Sequence, residues 1–152
     1  MARVFGDRSK GNLEGVHPLL VEIVTDALQI SESDFTVICG YRDKAGQDAA
    51  LAARTTKVAF PNSAHNQSHP VTKAPRSCAV DVIPYPFTKW EDPAMRIKWR
   101  QIADAIFAAA KKRGIEIRWG GDFNRDGDKT TKDSWDSPHF ELHPWRHYAT
   151  SK

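Results

Sequence analysis

One carboxylate stands in the middle of an apolar, β-branched run, Ala79-Val80-Asp81-Val82-Ile83-Pro84, and it restricts what this chain can fold into more than any other feature. The run reads as a buried strand. An ionised carboxyl buried without a partner costs several kcal/mol, so a fold that accepts this strand must bring Asp81 a cation, a hydrogen-bond network or a metal. A second stretch, Trp135-Asp136-Ser137-Pro138-His139-Phe140-Glu141-Leu142, carries chemistry of the right kind. His139 can give a neutral imidazole nitrogen to a metal, while Asp136, offset by the turn at Pro138, can reach an activated water without being a ligand itself.

Two ligands do not make a site, and the sequence between Thr55 and Ser77 is where a third is expected. Here Pro, Asn, Ser, His and Lys replace any helical or strand periodicity over about twenty residues, and a loop of that length inside a compact domain is usually functional or disordered. Both His65 and His69 lie in it. With Asp81 in a strand and His139 at a strand start, either histidine completes a three-ligand zinc site with an open position for water.

The remaining pattern supplies a frame. Leu20, Ile23, Val24, Ala27 and Leu28 recur at helical spacing after Pro18, and Phe35 to Cys39 is a β-branched run closed by Gly40. Asp43 is placed to cap a helix through Ala53. Asp92-Pro93 opens another, whose buried stripe is Met95, Trp99, Ile102, Ile106 and Ala110, ended by Gly114. Ile115 to Trp119 alternates as a half-buried strand broken by Gly120-Gly121, and His139 to Leu142 is the final strand.

A chain of 152 residues, 40% hydrophobic, fits one domain, residues 1–152. The first residues lack the apolar run of a signal peptide and no apolar stretch reaches the roughly 18 residues of a membrane span, so a soluble chain made in the cytoplasm, without membrane insertion, is expected. Cys39 and Cys78 sit in apolar runs, as buried free thiols rather than a disulfide. The net charge of +3 gathers in Lys111-Lys112-Arg113 and in the last residues. That excess is too mild to predict a nucleic-acid partner, and residues 145–152 are expected to form a flexible basic tail.

Ser63-Ala64-His65, then Ala79-Val80-Asp81, then Asp136-x-x-His139 resemble the SxH…AxD…(D/E)xxH pattern of the zinc peptidases that cut peptidoglycan stems. That family joins D-alanyl-D-alanine carboxypeptidases to L-alanyl-D-glutamate peptidases, and this chain looks most similar to its single-domain bacteriophage endolysins. Gly40-Tyr41-Arg42 with Gln47, and Arg118 to Asn124, extend the resemblance over most of the chain. It implies a single α+β domain of the hedgehog and D-Ala-D-Ala-peptidase type, with a small, mostly antiparallel sheet flanked by helices. The family's histidine stands about seven residues before the aspartate. Here Ser68 to Ala74 reads as an insertion between family-like flanks, which makes His65 the ligand rather than His69.

By the same resemblance zinc is held by His65, Asp81 and His139, Asp136 is the general base, and Arg42 faces the substrate carbonyl, unless Arg42 is instead a structural ion pair at a strand end. Asp122, Asn124, Asp126, Asp128 and Asp133 match an EF-hand loop, with Asp at the position usually held by a bidentate Glu. The loop is therefore either a calcium site or an acidic surface turn. His143 and His147 are spaced like a helical metal pair, but Pro144 argues against that helix. The implied activity is that of a monomeric endolysin which hydrolyses the L-alanyl-D-glutamate bond of peptidoglycan once the membrane is breached. A D-alanyl-D-alanine carboxypeptidase is the alternative on the same site, and a catalytically silent metal-binding module a third reading. Arg42 is the only arginine the sequence places at the site, which disfavours a carboxypeptidase, since that enzyme needs a cationic clamp for a terminal carboxylate.

Overall fold

The computed structural model describes residues 2–122 and 136–152. Among these residues ten elements follow in chain order: α1 (Asp7–Leu13), α2 (Pro18–Ile30), β1 (Asp34–Cys39), α3 (Lys44–Ala52), a 3-10 turn (Ala64–Asn66), β2 (Ala79–Tyr85), α4 (Pro93–Lys111), β3 (Glu116–Trp119), β4 (His139–His143) and α5 (Trp145–Thr150). The strands form one antiparallel sheet in the order β1-β2-β4-β3, so the fold is α+β.

Strand periodicity divides the sheet into two faces. Val37, Val80, Val82, Ile117, Trp119, Phe140 and Leu142 are buried on one of them. Against that face lie the stripes of α2 (Leu20, Ile23, Val24, Ala27, Leu28) and α4 (Met95, Trp99, Ile102, Ile106, Ala110), all of them buried as the periodicity predicts. Trp99 also donates its indole N–H to the Val82 carbonyl (3.0 Å), and Trp119 stacks on Phe140 at 5.8 Å. Truncating an aromatic at such a position costs about 3–5 kcal/mol.

One element has no counterpart in the sequence pattern, and another departs from it. The segment Asp7–Leu13 is a helix without an apolar stripe, and only Ser9 and Leu13 are buried in it. It is held by the edge strand: Val37 donates its N–H to the Ser9 hydroxyl and Asn12 donates to the Val37 carbonyl, so α1 covers backbone groups that an edge strand would leave open. At the other end, the tail expected to be flexible is helical over Trp145–Thr150, with Ala149 buried. Arg76 fixes it, donating from Nη2 to the carbonyls of Tyr148, Ala149 and Ser151. Among the described residues no helix is long and apolar enough to cross a membrane.

Candidate active site

Asp81 points to the face of the sheet away from α2 and α4, because Val80 and Val82 on either side of it are fully buried in the core. The antiparallel register sets His139 of β4 directly opposite Asp81. On the other flank the β1–β2 register slips between Val37 and Cys39, an irregularity that brings Cys39 opposite Asp81 and turns the chain at Gly40. A Cβ at Gly40 would collide with the Asn12 carbonyl, so only glycine allows α1 to close over this corner.

His65 arrives from the loop that had no periodicity. A capping box between Ser63 and Asn66 winds the 3-10 turn, and the turn is tied on both sides: Arg42 N–H donates to the His65 carbonyl and Cys78 N–H to that of Ala64. Gln47 is the buried node beneath it. Its Oε1 accepts from Arg42 (3.0 Å) and Asn66 (3.1 Å), and its amide nitrogen donates to the Val58 carbonyl. His69 does not join the cluster; its Nδ1 accepts from the N–H groups of Val71 and Thr72 in its own turn.

Three atoms converge as a result. His65 Nε2 lies 3.2 Å from His139 Nδ1 and 3.4 Å from Asp81 Oδ1, and His139 Nδ1 lies 3.3 Å from the same oxygen. Tetrahedral zinc with bonds of 2.0–2.1 Å separates its ligand atoms by about 3.3 Å, so the donor set fits zinc in both chemistry and spacing. The outer nitrogens are already engaged: His65 Nδ1 with the Gly40 carbonyl at 2.8 Å, His139 Nε2 with Glu141 Oε1 at 2.6 Å. Cys39, His65 and Asp81 also offer one ligand atom each within 4.8 Å of one another and could hold a metal ion. The Cys39 thiol, however, faces His65 Nδ1 at 4.0 Å, the nitrogen that Gly40 occupies, so His139 makes the better third partner for His65 and Asp81.

Electrostatics follow the geometry. Burial alone would raise the Asp81 pKa, but His65 and His139 hold it well below the usual carboxylate range. Burial likewise pushes both imidazoles down, and Asp81 more than offsets it, helped at His139 by Glu141, so both are raised. A cation is what the three atoms accommodate, and binding a metal there releases protons. Arg42 contributes from the side, its Nη2 at 3.8 Å from Asp81 Oδ2.

Asp136 is carried by the segment between β3 and β4. Gly120 lets it approach, since a Cβ there would strike the Asp136 carbonyl, and Asp136 N–H donates to Gly120 while His139 N–H donates to Asp136. Trp119 locks the turn through its indole N–H to Ser137 (2.7 Å). Burial raises the Asp136 pKa, an effect that His139 opposes only in part. Asp136 lines one cleft of about 1120 Å³ together with Arg42, His65, Asp81 and His139. Arg96, Arg100 and Arg118 line the same cleft, so Arg42 is not its only arginine. Of the expected calcium ligands, Asp122 is buried next to β3; Asn124, Asp126, Asp128 and Asp133 lie outside the described residues. His143 ends β4 and His147 sits in α5, on separate elements.

This small antiparallel sheet, with a converging His-Asp-His set beside the half-buried Asp136, is that of a hydrolase of the peptidase class. The chain belongs to the phage L-alanyl-D-glutamate peptidase family, whose model matches residues 1–143. It is 30% identical over 147 residues to the L-alanyl-D-glutamate peptidase of Escherichia phage T5, covering 93% of this chain and 99% of that one. Its fold is similar to the crystal structure of the Serratia marcescens L-Ala D-Glu endopeptidase ChiX, with a TM-score of 0.70, 35% identity, and coverage of 96% of this chain and 93% of the other.

Proposed function

We propose that this chain is a zinc endopeptidase that hydrolyses the L-alanyl-D-glutamate bond of peptidoglycan stem peptides, acting as an endolysin that reaches the wall once the membrane is breached. The observation that carries the reading is the triangle of His65 Nε2, His139 Nδ1 and Asp81 Oδ1, with sides of 3.2–3.4 Å, in a cleft that also holds Asp136. Zinc, when bound, supplies a Lewis acid that acidifies water and polarises the scissile carbonyl. The rest is the work of the chain's own groups. Asp136, its pKa raised by burial, takes the proton from the attacking water and hands it to the departing amine, a role worth about 10²–10⁴ in rate. Arg42, held by Gln47, presents a fixed donor to the developing oxyanion, worth about 10²–10³.

With three further arginines on the cleft, the want of a carboxylate clamp no longer separates endopeptidase from carboxypeptidase. Support for the endopeptidase comes from the family and from the two relatives named for the L-alanyl-D-glutamate bond. Digestion of purified peptidoglycan followed by mass analysis tests it. New amino-terminal glutamate, lost on chelation and restored by zinc, is expected. Release of single D-alanine residues without new glutamate amino termini overturns the reading in favour of the carboxypeptidase.

A further inference from the structure

Glu141 is a buried carboxylate that the reaction outlined above does not use. Strand periodicity puts it on the same face of β4 as His139, and its side chain is 7% exposed. Its Oε1 meets His139 Nε2 at 2.6 Å. Its Oε2 lies 3.9 Å from Nη1 of Arg118, which the register sets directly across from it on β3.

An imidazole has two nitrogens, and a partner on one decides what the other can do. If Nε2 of His139 donates its proton to Glu141, Nδ1 is left with a lone pair, and Nδ1 is the atom aimed at Asp81 and His65. His65 is arranged the opposite way round, with Nδ1 on the Gly40 carbonyl and Nε2 facing the cluster. The two histidines therefore differ in their outer partner, a neutral carbonyl for one and a carboxylate for the other. A carboxylate makes its imidazole the stronger donor, and with Asp81 it sets two formal negative charges against a dication.

Building on the zinc reading, we propose that Glu141 is a positioning residue: it fixes the tautomer and ring orientation of His139 so that Nδ1 is presented to the metal, while Arg118 steadies the far oxygen. Glu141 thereby sets metal affinity and takes no proton from the attacking water.

The test compares Glu141→Ala and Glu141→Gln with the wild-type chain by chelator competition for zinc and by the visible spectrum of the cobalt(II)-substituted protein. Glu141→Ala, which removes both acceptor and charge, is expected to weaken zinc about 10–100-fold. Glu141→Gln keeps an acceptor oxygen and is expected to recover part of that loss, with both variants shifting the cobalt bands. Thermal unfolding of the metal-free proteins shows whether each variant folds. A folded Glu141→Ala with wild-type zinc affinity overturns the proposal. Should the alanine variant fail to fold, wild-type affinity together with an unchanged cobalt spectrum in Glu141→Gln overturns it equally. A wild-type chain that binds no zinc would instead overturn the underlying zinc reading, and this inference with it.

Discussion

A carboxyl in the middle of an apolar strand has few ways to be tolerated, and at Asp81 two imidazoles and a guanidinium share the task. That demand is legible in the sequence because it follows from burial alone. The partners of the histidines are not: nothing in the string says that Gly40 offers its carbonyl to His65, or that Glu141 turns back onto His139. Such contacts depend on register, which pairs residues 58 positions apart at Asp81 and His139. Asp136 can be read from spacing, but its approach rests on the missing Cβ of Gly120. Asp136→Asn is therefore expected to keep the fold and bound zinc while lowering kcat about 10²–10⁴-fold, because the amide accepts no proton from water. Metal content and turnover measured on the same preparation check this, and near wild-type turnover with zinc present would assign the base elsewhere.

Among the elements, those with an apolar period are legible to within a residue or two, as α2, α4, β1 and β2 are. Those held by polar contacts are not. Helix α1 has no stripe and exists through Ser9 and Asn12 on the edge of β1, and α5 is anchored by one guanidinium from the far side of the chain. The aperiodic loop before β2 contains two devices with separate tasks. Its first part is the capped turn that carries His65. Its second closes on itself, with a bridge between Ser68 and Pro75, His69 N–H on the Ala74 carbonyl, and a left-handed Lys73 (φ 64°). Replacing residues 69–74 by a short glycine turn is expected to leave zinc stoichiometry unchanged. His69→Ala is expected to cost only about 0.5–1.5 kcal/mol for its lost turn bonds and to leave zinc bound, whereas His65→Ala is expected to abolish zinc binding. Zinc content after gel filtration separates the cases, and loss of zinc on His69→Ala with retention on His65→Ala would reverse the assignment.

At the scale of the whole molecule, His17 joins segments that the sequence keeps far apart. Its Nδ1 accepts from Leu19 N–H as the N-cap of α2, its backbone N–H donates to Ser77 just before β2, and its ring packs edge-on against Tyr148 of α5. Its Nε2 is buried and has no hydrogen-bond partner among the described residues, and burial, with Arg76 nearby, lowers its pKa to about 4 from an ordinary 6.5. The folded chain thus holds His17 neutral at pH values where the unfolded chain protonates it. Above pH 6.5 neither state binds the proton and the stability is intact. Between 6.5 and about 4 only the unfolded state gains it, so stability falls with pH by up to about 1.4 kcal/mol per unit from this group. Asparagine caps helices as well and does not titrate, so His17→Asn is expected to flatten the stability profile between pH 6.5 and 5. Urea unfolding of both chains across that range provides the measurement; parallel profiles would mean that His17 is protonated alike in the folded and unfolded states.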